Sequence, residues 1–288
     1  MVFGALRGIE LKTPDQLRQM RRAGLVVAAA IAATVAQVRP GVSTRELDAV
    51  AAETIRAAGA APSFLGYGSV NGVGGFDGVA CLSVNEEVVH GVPGARVLAE
   101  GDLLSIDCGA VVEGWHGDSA VTVAVGRPTE DLLALSDATR AAMWRGIGAA
   151  RLGGHVADIS TAVERSVREH PGGYGIVEEY VGHGIGSAMH QPPDVPNLVS
   201  RGFLRTPLRG AAIVEGLALA VEPMLTLGSP DNHVLDDDWT VVTDDGRPAA
   251  HWEHTITVTA RGLWVLTAED GGEAALAELG VPFGPLAD

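Results

Sequence analysis

Residues 105–122 read SIDCGAVVEGWHGDSAVT, two short runs of β-branched and small residues meeting at Glu113-Gly114. Runs of this kind bounded by glycine read as strands, and the two-residue connection reads as a tight hairpin. A turn at 113–114 sets residue 112 against 115 and Asp107 against residue 120. Asp118 then falls diagonally beside Asp107, on the same face of the sheet. Two aspartates placed side by side repel unless a cation or a shared proton lies between them. The pair therefore predicts either a hairpin end turned to water or a cation site.

Two further carboxylates stand in places that suit a charge no better. Glu222 interrupts the apolar run LALAVEPML, where an unpaired carboxylate would cost roughly several kcal/mol. Glu253, in HWEHTITVT, shares its strand face with His251 and Thr255. In YVGHGIGSAMHQPP (180–193) glycines flank His183, and glycine is used where the backbone must turn sharply or approach closely. One buried glutamate could be satisfied by an arginine. Two of them, with an aspartate pair and a glycine-framed histidine, are most economically explained together. Asp107, Asp118, His183, Glu222 and Glu253 are expected to ligate two divalent cations. Four carboxylates and one imidazole suit Mn, Fe(II), Co or Zn, and shared carboxylates suit a two-metal hydrolase.

Composition narrows the partners. The 288 residues carry a net charge of −16, and Lys12 is the sole lysine. That balance repels phosphate backbones and excludes nucleic acid as an expected partner. A hydrophobic content of 47% with 19% charged residues describes a chain with an ample core. Two cysteines, Cys81 and Cys108, cannot build a disulfide framework, which places the chain in a reducing cytoplasm. The segment RRAGLVVAAAIAATVAQVRPG (21–41) resembles a signal peptide in composition, yet its apolar run is shorter than the roughly 20 residues of a membrane span. It also lies within a helix that opens on a capping box, Thr13-Pro14-Asp15-Gln16.

A second capping box, Ser43 to Glu46, opens a helix to about residue 59. Strands follow in ACLSVNEEVVHGV, GDLLSIDCGAVVEG and HGDSAVTVAVG. Two helices then cover about 129–151 and 157–170, and strands return in ALAVEPMLTL, DWTVVT, HWEHTITVTA and LWVLTA. The order helix, helix, strands thus occurs twice, and the helix junctions RPGVSTREL and RLGGHVADI echo each other. The fold class is α+β. A single domain is expected, built from two halves (about 13–126 and 127–267) related by a duplication of 125–140 residues. A site would lie in the crevice between them. The acidic, glycine- and proline-rich tail at 268–288 is expected to pack loosely at the surface.

The segments SVNEEVVHGVP (83–93), SIDCGAVVEGWHGDSA (105–120), GHGIGSAMHQPP (182–193), LAVEPML (219–225) and WEHTITVT (252–259) resemble, in this order, the methionine aminopeptidase family. The likeness runs from about residue 13 to 267. It implies the pita-bread fold, two pseudo-symmetric halves around a central antiparallel sheet, and removal of the initiator methionine by metal-hydroxide hydrolysis of the first peptide bond. It further implies that Asp107 holds one ion, His183 and Glu222 the other, and that Asp118 and Glu253 bridge them. By the same likeness His190 would stabilise the tetrahedral intermediate, His90 would meet the scissile amide, and Glu222 would also carry a proton. Cys81, Met189 and Trp239 match the pocket for the methionine side chain, with Tyr67 at its rim. The implied substrates are peptide or nascent-polypeptide N-termini, met in the cytoplasm at or near the ribosome by a monomeric enzyme with no membrane attachment.

Only 38 residues separate His183 from Glu222, which leaves no room for the helical insertion of type II members and fits type I. The chain departs from the family in GYGSVNGVGGFDGVAC (66–81), which is longer than usual and glycine-rich, with Gly68 where a histidine is common. A mobile loop that widens the pocket mouth is the expectation there. Rival readings are a proline-specific peptidase of the same fold, which usually carries a further amino-terminal domain, and a non-catalytic module that has lost its ligands.

Overall fold

The computed structural model describes residues 8–70, 73–199 and 208–287. Helix α1 (Pro14–Val35) begins where the capping box places it. The Thr13 hydroxyl accepts from the Gln16 amide, and the Gln16 side chain returns the bond to the Thr13 amide. Its inner face, Leu17, Met20, Ala23, Gly24, Val27, Ala30 and Ile31, repeats every three or four residues. Ser43 and Glu46 close the same box ahead of α2 (Thr44–Ala57). The second helical pair is α3 (Glu130–Ala149) and α4 (Val156–Glu169). Among the described residues no helix is long and apolar enough to cross a membrane.

The central sheet has nine antiparallel strands among the described residues. At its middle the strand Trp115–Ala124 pairs with Glu253–Thr259, and the order reads alike outward from that seam: Leu103–Val112 on one side, Ala218–Val221 on the other. Each half has its own core. One gathers α1 and α2 residues such as Val27, Leu47 and Ile55 with Leu82 and Ile106. The other gathers Met143, Ile147, Ile159 and Val163 with Leu219 and Ile256. Backbone pairing across the seam covers only Glu253–Ala120 and His254–Ser119. Buried hydroxyls extend it. Thr255 Oγ1 donates to the Asp118 carbonyl at 2.8 Å and accepts from the Asp118 amide at 3.1 Å. Ser119 Oγ donates to the Glu253 carbonyl at 2.6 Å, and Thr122 Oγ1 bonds both the carbonyl and the amide of His251 at 2.7 and 2.9 Å.

The duplication is visible in the hydrogen bonds of the two helix junctions. Gly41 donates to the Leu98 carbonyl as Gly153 donates to that of Ile213, and Thr44 donates to Arg96 as Val156 donates to Ala211. These partners lie 112 residues apart on the helix side (41 to 153) and 115 on the strand side (98 to 213). The repeat at the junctions is therefore shorter than the expected 125–140, and it lengthens only toward the seam, where Asp118 and Glu253 occupy mirrored strands. Three expected strands are also broken in two. Asn85, at φ 55°, turns the chain between Ala80–Val84 and Glu87–Val89. Pro223, with no amide to donate, separates Ala218–Val221 from Met224–Thr226. Trp252 separates Ala249–His251 from Glu253–Thr259.

The tail does not pack loosely. Helix α5 (Glu273–Glu278) buries Leu276 fully, Gly284 donates to the Leu263 carbonyl at 2.8 Å, and Thr259 Oγ1 donates to the Gly284 carbonyl at 2.7 Å. Its charged residues face water while a few apolar side chains reach the second core, a pattern too short for periodicity to reveal.

Helix α1 lies close against the seam hairpin because glycine meets glycine there. A Cβ on Gly117 would stand 2.7 Å from the Gly24 nitrogen, and one on Gly24 would overlap the Leu266 carbonyl. In an exposed helix a glycine-to-alanine change stabilises by about 0.5–1 kcal/mol. Here Gly24→Ala should reverse that sign and destabilise by about 1–3 kcal/mol through overpacking, read as a lowered Tm in thermal unfolding.

Candidate active site

The hairpin has the expected register: Val112 faces Trp115, Asp107 faces Ala120, and Asp118 faces Gly109. On the other edge Cys81 lies opposite Asp107. The seam then brings Glu253 beside Asp118, while Glu222 follows directly on the neighbouring strand, ahead of Pro223. His183 stands in the three-residue strand Gly182–Gly184, where a Cβ at either glycine would collide with the backbone of Ala220 or Pro192. Its flanking glycines thus serve close packing, and the ring is held between two strands. His183 Nδ1 lies 3.0 Å from the Gly184 carbonyl, which can only accept, so Nδ1 carries the proton and Nε2 offers a lone pair. That Nε2 is 3.4 Å from Glu222 Oε1.

One ligand atom each from Asp118, His183 and Glu253 lies within 4.8 Å of the others, and all three residues are buried. Among the described residues, the buried side-chain nitrogen and oxygen atoms with no hydrogen-bond partner are Asp107 Oδ1, Asp118 Oδ1, Glu253 Oε1 and His251 Nε2. All four belong to this one cluster. Orphaned buried acceptors are expensive, and their convergence suits a cation. Burial and neighbouring Asp118 push Asp107, Glu222 and Glu253 well above the usual carboxylate range, and burial raises Asp118 to about 7. His183 is pushed down to about 3, first by burial and then by neighbouring His190, and so is a neutral imidazole at pH 7. A hard, oxygen-rich donor set with one neutral nitrogen fits divalent ions such as Mn, Fe(II), Co or Zn.

The cluster forms the floor of a cavity of about 90 Å³ that opens to solvent. Every residue the sequence singled out lines it: Tyr67, Cys81, His90, Met189, His190 and Trp239 as well as the five candidate ligands. Phe64, Phe76, Val89 and His251 line it too and were not singled out. Phe76 meets Phe64 edge-on at 6.4 Å and Trp239 at 5.5 Å, and with Cys81 and Met189 these rings form a small apolar cluster apart from both cores. His251 Nε2 lies 3.6 Å from Glu222 Oε2, and its alternation with Glu253 was the signal that could have placed it. His90 holds φ at 60°, a left-handed conformation that non-glycine residues seldom adopt and that aims its ring into the cavity wall beside Tyr180. Tyr67 Oη lies 2.6 Å from His190 Nδ1, and the His190 ring meets His183 edge-on at 4.3 Å.

Backbone bonds tie the described ends of the glycine-rich segment to each other. Gly66 donates to the Phe76 carbonyl and Phe76 to that of Tyr67, both at 2.9 Å, while Val70 and Val73 exchange backbone bonds further out. These bonds set Phe76 against the pocket as an aromatic wall; Asn71 and Gly72, where the expected widening of the mouth also falls, lie outside the described residues. At Gly68, with φ at 74°, a Cβ would come within 2.9 Å of the Trp239 ring, so a side chain there would be strained and would have to displace the indole.

The raised carboxyl groups make a stability prediction for the metal-free protein. Asp118 ordinarily titrates near 3.8 and is raised to about 7 in the fold. Between those values the folded state keeps protons that the unfolded chain has released, so stability falls as pH rises through this window. Above the ordinary histidine value of 6.5 the depressed imidazoles of His183 and His251 add no opposing slope, so metal-free protein should have a higher Tm at pH 6.5 than at pH 8. Added Mn or Co should raise Tm more at pH 8 than at pH 6.5, because bound cations replace those protons. Differential scanning calorimetry with and without chelator checks both.

Residues 18–260 match the model of metallopeptidase family M24. The chain is 46% identical over 266 residues to methionine aminopeptidase 1 of Mycobacterium tuberculosis, covering 91% of this chain and 96% of that protein. It is 43% identical over 256 residues to methionine aminopeptidase 1 of Bacillus subtilis, covering 89% and 98%. The crystal structure of methionine aminopeptidase from Thermotoga maritima superimposes with a TM-score of 0.83 at 37% identity, covering 91% of this chain and all of that one. A prolidase from Pyrococcus furiosus shares the fold alone, with a TM-score of 0.70 at 21% identity over 90% of this chain and 65% of that one. The architecture is the pita-bread fold. The chain belongs to the methionine aminopeptidases, hydrolytic enzymes of metallopeptidase family M24.

Proposed function

We propose that this protein removes the initiator methionine from newly made polypeptides, using two divalent ions held by Asp107, Asp118, His183, Glu222 and Glu253. The observation that carries the reading is the junction of two surfaces in one cavity. An apolar wall of Phe64, Phe76, Cys81, Met189 and Trp239 ends on a floor of buried, unpartnered carboxyl oxygens. A thioether side chain fits the wall, since sulfur packs favourably against aromatic edges. Divalent ions bound at the floor would supply Lewis acidity for the carbonyl and an activated water for its hydrolysis.

The surrounding residues divide the remaining work. His190 stands beside His183 with Nδ1 against the Tyr67 hydroxyl. If that hydroxyl donates, Nε2 carries the proton and can donate to the oxyanion as it develops. His90, fixed by its left-handed backbone, meets the scissile amide. Glu222, between His183 and His251, accepts a proton and returns it to the departing amine. On this reading the halves at about 13–126 and 127–267 form one catalytic domain, a cytoplasmic monomer working on chains as they leave the ribosome.

Two sets of variants test the reading against Met-Ala-Ser and Ala-Pro-Ala peptides. Asp118→Asn and Glu253→Gln should each abolish turnover of Met-Ala-Ser and remove most bound metal, because each takes a negative charge from between two cations. Near-native turnover with two ions still bound, measured by elemental analysis, would sink the two-metal assignment. His90→Ala and His190→Ala should instead keep their metal and slow turnover by about 10²–10³-fold, the effect of losing one oxyanion donor. Loss of metal from either would move that histidine among the ligands. Preferential cleavage of Ala-Pro-Ala by the unaltered protein would turn the reading toward a proline-specific peptidase.

A further inference from the structure

The loop Gly186–Gln191 carries Met189 and His190 into the cavity, yet neither Ser187 nor Gln191 faces it. Both are held from behind by the segment just ahead of α1. Glu10 Oε1 accepts from the Ser187 hydroxyl at 2.6 Å, and Oε2 accepts from the Ser187 amide at 3.0 Å and from Gln191 Nε2 at 2.9 Å. Lys12 Nζ donates to Gln191 Oε1 at 3.3 Å and to the Glu10 carbonyl at 3.0 Å. Lys12 is the protein's single lysine, and only 5% of its surface is exposed. Burying a long cationic chain is costly unless it is paired, and every partner here belongs to this loop or to Glu10.

The fit is tight as well as polar. A Cβ on Gly186 would lie 2.8 Å from Lys12 Nζ and would overlap the Glu10 carboxylate. The strap is itself tied down, since the Lys12 amide donates to the Gly216 carbonyl at 2.7 Å and Ile9 packs on the second core. Burial pushes the Glu10 carboxyl up, but the Ser187 hydroxyl and amide, Gln191 and Lys12 outweigh it and hold the group at about 2. Burial lowers the Lys12 ammonium to about 8 against the opposing pull of Glu10, so both members of the clamp carry charge near pH 7. It grips residues three before and one after His190, the span within which a loop would otherwise move that ring.

We propose that Glu10 and Lys12 are positioning residues, a clamp that fixes the Gly186–Gln191 loop so that His190 keeps its place against the substrate. The clamp touches no reacting atom and acts on turnover through His190. This rests on the role given to His190 above, and the test separates the two.

Lys12→Met and the milder Glu10→Gln are made singly and in the His190→Ala background, and kcat/KM is measured on Met-Ala-Ser with metal content recorded. With His190 present, each should lower kcat/KM by roughly tenfold or more without loss of metal, the scale of a misplaced group. In the His190→Ala background each should cost less than about twofold, because the interaction it served is already gone. An equal loss in both backgrounds would show general destabilisation and overturn the proposal, as would no loss in either. Amide hydrogen exchange on the metal-free variants gives a second readout. Exchange at residues 186–191 should quicken while that of the strand Gly182–Gly184 stays as in the parent, and unchanged exchange at 186–191 would overturn the clamp. If the unaltered protein failed to cleave methionyl peptides, the functional reading would fall while hydrogen exchange still decided the clamp.

Discussion

Four carboxyl groups forced together in a buried seam are the constraint around which this protein is organised. Asp107, Asp118, Glu222 and Glu253 cannot all be ionised at such proximity without a counter-charge, and burial raises the cost. An arrangement like this persists only if something other than stability maintains it. In the metal-free state the strain is met by protons, and on the proposed reading cations replace them.

The carboxylates come from both halves of the chain. Asp107 and Asp118 ride the hairpin of the first half, while His183, Glu222 and Glu253 belong to the second. The site exists only when the halves dock, and the seam has just two residue pairs of backbone pairing to dock with. The hydroxyls of Ser119, Thr122 and Thr255 supply the rest. A hydroxyl can both donate and accept, so each satisfies strand groups that a regular ladder would have paired. This leaves the chain free to break at Pro223 and Trp252, and those breaks are what turn Glu222 and His251 inward.

Much of this was legible along the chain. Asp107 and Asp118 could be placed on one face because a two-residue turn leaves the hairpin a single register. The helix starts were written in two capping boxes, whose bonds are local and therefore visible in four residues. Phe76 was not legible: it sits among glycines, where nothing marks an aromatic as a wall rather than a loop residue, and its partners Phe64 and Trp239 are far off in sequence. The packed tail was missed for a similar reason, since Leu276 and Phe283 are isolated apolar residues in an acidic stretch. Glu10 and Lys12 gave no signal at all, because their meaning lies in a loop some 180 residues away.

By itself, then, the sequence determined the element types, the hairpin register, the candidate ligand set and the family likeness, all of which rest on short-range chemistry or on an ordered series of motifs. The tertiary structure alone decided which wall the pocket presents, that Gly68 packs against the Trp239 ring, and that a strap ahead of the first helix grips the loop bearing His190. The division has one physical cause. Turns, caps and alternation are fixed by neighbours within a few residues, whereas close packing and the pairing of a buried charge depend on which distant surfaces meet, and no local pattern records that.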